Sequence, residues 1–143
     1  MNAPTLTRIL GSLLLITGIA GVVPWTAPAA PPDAPVITLD GLYRFIAGVF
    51  PSNWAEDALY LVLGVFGFVA AMRFGSAVAY CRAVTWVFLV LVVLGALPLF
   101  AFYTLFGAAP VFGWDVALHA SIVLIAAYGG YGRGSFTVEV TPQ

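Results

Sequence analysis

Residues 83–114, AVTWVFLVLVVLGALPLFAFYTLFGAAPVFGW, run for 32 positions without a charged side chain. About 20 apolar residues at 1.5 Å each cross a hydrocarbon core about 30 Å thick, so this stretch holds a membrane span with residues to spare. Charge-free runs recur on either side, at residues 9–32 (24 positions), 58–72 (15) and 116–132 (17). Four such runs in 143 residues predict a small polytopic membrane protein. Composition agrees, with 62% apolar and 8% charged residues, against about 25% charged in soluble domains.

The bulk numbers also exclude function classes. Net charge is −1, lysine is absent and the five arginines are scattered, so nothing resembles the basic stripe that a nucleic-acid partner requires. Cys81 is the only cysteine and His119 the only histidine. An intrachain disulfide, a cysteine-based metal site and bis-histidine haem therefore cannot be built from one chain. No nucleophile elbow, zincin helix, phosphate loop or dinucleotide fingerprint occurs. Accordingly no catalytic residue and no metal site is expected, and the identity of any cofactor stays open.

The reading is all-α: a single membrane domain, a four-helix bundle with spans at residues 5–25, 54–72, 82–106 and 114–131. The first run is followed by Ala27-Pro28-Ala29, which looks like a signal cleavage site, but its apolar stretch exceeds the usual 7–15-residue signal core, and a retained span is expected. In the outer loop, residues 26–53, Pro28, Pro31, Pro32 and Pro35 favour extended backbone. Leu42, Phe45, Ile46, Val49 and Phe50 then recur at helical spacing behind Asp40, predicting a short amphipathic interfacial helix at residues 40–50. Residues 132–143 form a cytoplasmic tail, strand-like at 135–141 but without a partner strand.

Arginine placement orients the bundle. Arg8, Arg73, Arg82 and Arg133 fall on one side of a four-span layout and Arg44 on the other, so the positive-inside rule puts both termini in the cytoplasm of a bacterial inner membrane. Trp25, Trp54 and Trp114 then reach the outer boundary as interface anchors.

The chain also resembles itself. An offset of 59 pairs Gly48-x-x-Pro51 with Gly107-x-x-Pro110, Glu56-x-Ala58-Leu59-Tyr60 with Asp115-x-Ala117-Leu118-His119, and Gly75-Ser76 with Gly134-Ser135. An offset of 74 pairs Arg8, Gly21 and Pro24 with Arg82, Gly95 and Pro98. Two tandem two-span repeats of like orientation are expected, which brings the acid-bearing outer ends of the second and fourth spans face to face.

Those ends hold the candidate polar cluster. Asp115 and His119 are four apart, on one helical face, and Glu56 and Tyr60 make the equivalent pair. A carboxylate one turn from an imidazole sets its tautomer, as in a proton relay or ligand site. Acids in a first helical turn also serve as caps favoured by the helix dipole, and that structural reading stands beside the functional one. Gly11, Gly18 and Gly21 on the first span, and Gly64 and Gly67 on the second, form small-residue tracks for close helix packing.

The Gly-x-x-Pro segments leading into acid-x-Ala-Leu-His at the fourth span, with Pro51-x-Asn53 before the second, resemble an uncharacterised bacterial family, domain of unknown function 4383. The resemblance implies a small four-span membrane protein over nearly the whole chain, most clearly at residues 48–67 and 105–127. It supplies no reaction. The family tends to carry histidines at the start of its second span. This sequence has Glu56 and Tyr60 there, and only Leu118-His119 matches.

Two functions follow as expectations. The first is a non-enzymatic accessory or scaffold subunit, packed among membrane lipids and other membrane protein subunits. The alternative is a small binding or transport protein with an outward-facing site, Asp115, His119, Glu56 and Tyr60, for a proton, pigment, lipid or quinone.

Overall fold

Asn2 starts the first helix: its side chain accepts a hydrogen bond from the Thr5 amide at 3.0 Å, and Pro4 occupies the first turn, where a missing N–H costs nothing. α1 runs Ala3–Val22. The computed structural model describes residues 1–97 and 99–132, so Pro98, Arg133 and the tail with its predicted strand lie outside the described residues. After a long connection come β1 (Arg44–Ile46) and β2 (Phe50–Ser52), α2 (Trp54–Ala70), α3 (Phe74–Ala96), the single turn α4 (Phe100–Tyr103), a 3₁₀ turn (Leu105–Gly107) and α5 (Trp114–Tyr131).

α1 packs along α2 and α3 along α5, with lighter contacts between the two pairs. Glycine makes the first pairing close. A Cβ on Gly11 would stand 2.9 Å from the Gly64 carbonyl, one on Gly18 2.9 Å from the Asp57 carbonyl, and one on Gly64 2.9 Å from the Leu15 amide. Gly67 abuts the Gly11 Cα, and a side chain on Gly21 would collide with the Asp57 carboxylate. All five predicted packing glycines thus face the α1–α2 seam. Between the helix pairs lies a core that includes Leu10, Leu14, Tyr60, Val84, Phe88 and Ile122.

The bundle holds ionisable side chains within its apolar core and turns large apolar ones outward. Glu56, Asp57, Asp115 and His119 are buried, whereas Ile16, Phe66, Trp86 and Leu124 are 58–72% exposed. Water-soluble helices show the reverse pattern. α1 and α3 are long and apolar enough to cross a membrane.

Two boundaries depart from the sequence reading. α3 begins at Phe74 rather than near Arg82, because residues 71–73 suffice to reverse the chain after α2. It stops at Ala96, with Leu97 extended (ψ 132°) as a residue before proline must be. The helical stretch expected to continue to residue 106 is instead broken into α4 and the 3₁₀ turn.

The amphipathic helix predicted at residues 40–50 is corrected to a β-hairpin. Arg44, Phe45 and Ile46 pair antiparallel with Ser52, Pro51 and Phe50. Ala47 and Gly48 take the left-handed conformation (φ 52° and 73°) that turns the chain. The proline-rich segment supplies the competing partner. The Phe45 amide donates to the Pro28 carbonyl at 2.9 Å, Ala47 to Thr26 at 2.7 Å, and Ala30 to Tyr43 at 3.3 Å. The extended segment around Pro28 thus pairs with the neighbouring strand, and Pro51 denies the residues before it a helical continuation.

Candidate functional site

The site begins with Asn53, which is fully buried. Its side-chain oxygen caps α2 by accepting from the Glu56 amide at 3.1 Å. Its amide group donates to the Leu39 and Ala108 carbonyls, both at 2.8 Å. One side chain therefore pins both connections, residues 23–53 and 97–113, over the start of α2. Beside it, Ser52 donates to Asp57 Oδ1 at 2.5 Å.

With Asn53 as cap, Glu56 is at the third helical position, from which a glutamate often folds back to the cap amide. Here its side chain turns inward instead. Glu56 Oε1 lies 3.2 Å from His119 Nε2, and Tyr60, one turn on, hydrogen-bonds the same nitrogen at 2.8 Å. From α5, Asp115 Oδ2 stands 3.1 Å from His119 Nδ1, and Asp115 Oδ1 is 3.5 Å from the Tyr60 hydroxyl. That hydroxyl is also 3.3 Å from Glu56 Oε1. All four predicted cluster residues are thus in mutual contact. Phe88 of α3 closes the inner side, stacked on Tyr60 at 5.9 Å between ring centroids and edge-on to His119 at 5.1 Å.

The cluster is enclosed rather than open to the outside, with each of its four residues at most 3% exposed. The two connections that Asn53 ties down cover helix ends that sequence alone leaves at the surface.

Its electrostatics are unbalanced. Among the described residues no arginine lies within ion-pairing distance of either carboxylate. Tyr60 has a single hydroxyl proton to offer three acceptors. Among the described residues Glu56 Oε2, Asp115 Oδ2 and His119 Nδ1 are buried without a hydrogen bond, although the last two stand 3.1 Å apart, within ion-pair distance. An uncompensated charge costs several kcal/mol in such surroundings, so this arrangement attracts positive charge.

Sequence reasoning misses Asn53 as the tie and Phe88 as the wall. The first has a signal, an Asn three residues before a Glu at the head of an apolar run. Phe88 has none, since its role depends on how α3 crosses two other helices.

No curated protein and no solved structure matches the chain. A family match covers residues 5–132 of the 143, taking in all four cluster residues. The chain belongs to the family described as domain of unknown function (DUF4383).

Proposed function

We propose that this chain is a small non-enzymatic binding protein of the bacterial inner membrane, with four spans and cytoplasmic termini, and that Glu56, Tyr60, Asp115 and His119 form a site for a small cation. The carrying observation is the mutual contact of these four side chains at 2.8–3.5 Å in a place without another positive charge. Atoms that already touch leave no room between them for a pigment, lipid or quinone, so the occupant is of atomic size, a proton or a metal ion.

Membrane location is supported by the apolar exterior and by Arg8, Arg73 and Arg82, which are exposed near the end where Arg82 donates to the Gly130 carbonyl. α2 and α5, with 17 and 18 residues, reach about 25–27 Å at 1.5 Å per residue, nearly a hydrocarbon thickness. The tandem repeat gains support from backbone conformation. At the offset of 59, Ala47 and Gly48 (φ 52° and 73°) correspond to Phe106 and Gly107 (φ 56° and 85°), the same left-handed pair.

The test is thermal unfolding of purified protein in detergent, across about pH 5–8 and across a panel of divalent cations, for wild type and for E56Q/D115N. A melting temperature that responds to acid or to metal in wild type, and loses the response in the double variant, supports the site. A wild type indifferent to both contradicts it.

A further inference from the structure

We infer that the cluster is a binding site for one divalent first-row transition-metal ion, held by Glu56, Asp115 and His119 with the Tyr60 hydroxyl as the fourth corner. This rests on the cation-site reading above and names the cation. Read alone, the sequence assigns no metal here, because one histidine and acids on separate helices carry no ligand spacing.

Geometry is the first argument. One ligand atom each from Glu56, Asp115 and His119 lie within 4.8 Å of one another. The distances from Nε2 to Oε1, from the phenol oxygen to Oε1, from the phenol oxygen to Asp115 Oδ1 and from the phenol oxygen to Nε2 are 3.2, 3.3, 3.5 and 2.8 Å. Ligands about 2.0–2.2 Å from a tetrahedral ion stand about 3.3–3.6 Å apart, so small side-chain movements centre an ion among these four atoms.

The second argument is independent of proximity. Among the described residues Glu56 Oε2, Asp115 Oδ2 and His119 Nδ1 are fully enclosed and lack hydrogen-bond partners. A divalent ion matches the two carboxylates in charge. It also gives Asp115 a bridging position, with one oxygen on the metal and the other 3.1 Å from Nδ1 to orient the ring.

Donor chemistry selects the ion. One imidazole with oxygen donors suits Zn²⁺, Fe²⁺ or Mn²⁺ rather than Cu⁺, which wants sulfur. Cys81 is engaged elsewhere, 3.2 Å from Thr7 Oγ1. Four donors from two helices leave too few oxygens for Ca²⁺, which takes six to eight.

The experiment uses the full chain in detergent, purified without a histidine tag, stripped with a chelator and loaded with Zn²⁺ or with Co²⁺ as a spectroscopic probe. The expected result is one Zn²⁺ per chain, a Co²⁺ absorption spectrum without a thiolate band, and affinity lowered at least about tenfold in E56Q and in D115N. If either variant fails to fold, the wild-type stoichiometry and the absence of a thiolate band in the Co²⁺ spectrum decide. A wild type that takes up no Zn²⁺ or Co²⁺, or takes it up with a thiolate band, overturns the metal assignment. If its stability still follows acid, the site holds a proton and the cation reading survives. If neither metal nor acid acts, both readings fall.

Discussion

Tyr60 and His119 are 59 positions apart, on different helices, and share a 2.8 Å hydrogen bond at the centre of the bundle. They are also the corresponding residues of the two proposed repeats, as are Glu56 and Asp115. A duplicated helix pair packed about an axis brings residues that face the axis near their own counterparts, so such a repeat can assemble a site from matched positions.

Removing the shared hydroxyl tests this centre. Tyr60→Phe keeps the ring stacked on Phe88 but takes the hydroxyl from Glu56, Asp115 and His119 together, leaving His119 Nε2 only the 3.2 Å approach of Glu56 Oε1, and an unsatisfied buried polar group costs about 1–3 kcal/mol. Equilibrium unfolding in mild detergent checks the value. An unchanged stability contradicts the bond.

The glycine seam yields a paired prediction. A methyl at Gly11 meets the Gly64 carbonyl at 2.9 Å and the Gly67 Cα at 3.4 Å, backbone atoms that move only with their helix. Gly11→Ala is therefore expected to cost about 1–3 kcal/mol. Gly75→Ala, where nothing stands within 4 Å, is expected to be neutral or to stabilise by up to about 1 kcal/mol. Both are read from thermal unfolding on the same preparation.

Tyr43, in the connection between α1 and α2, supplies a dependence on pH. Its hydroxyl is buried without a hydrogen-bond partner among the described residues, and burial pushes the phenol up from 10.0 to about 12. The unfolded chain loses this proton first. The stability that Tyr43 contributes is therefore intact below pH 10 and is lost as pH rises through about 12. Tyr43→Phe should flatten that part of the alkaline stability curve and leave stability at neutral pH equal or higher, since it removes an unpaired hydroxyl.

How far the sequence can be read depends on how local the signal is. Charge-free runs and arginine positions are properties of the chain itself, so helical segments near 5–25, 54–72 and 114–131 are legible in the residues alone. The pairing of Asp115 with His119 is legible too, because four residues make one helical turn. The hairpin at residues 44–52 is not. The spacing of Leu42, Phe45, Ile46 and Val49 suits a helix, and pairing with Phe50–Ser52 together with hydrogen bonds to Thr26, Pro28 and Ala30 overrules it. Enclosure of the cluster is equally hidden, since it depends on Asn53 reaching Leu39 and Ala108 from two separate connections.

Orientation is testable in intact cells. Val36 is 78% exposed in the connection between α1 and α2, which the proposed topology places outside, and Ser76 is exposed at the start of α3, placed inside. In a Cys81→Ala background, a membrane-impermeant maleimide should label Val36→Cys in whole cells and Ser76→Cys only after lysis. The reverse pattern contradicts the assigned topology.

The proposed cation site can be addressed through a single reporter, because His119 is the only histidine in the chain. In protein labelled with ¹⁵N-histidine and carrying no tag, one imidazole spin system reports on Nδ1 and Nε2. Acid or Zn²⁺ is expected to shift these nitrogens in wild type, and E56Q/D115N to abolish the response. An imidazole spectrum unmoved by either cation, in folded wild-type protein, would contradict the claim that these four side chains form a cation site.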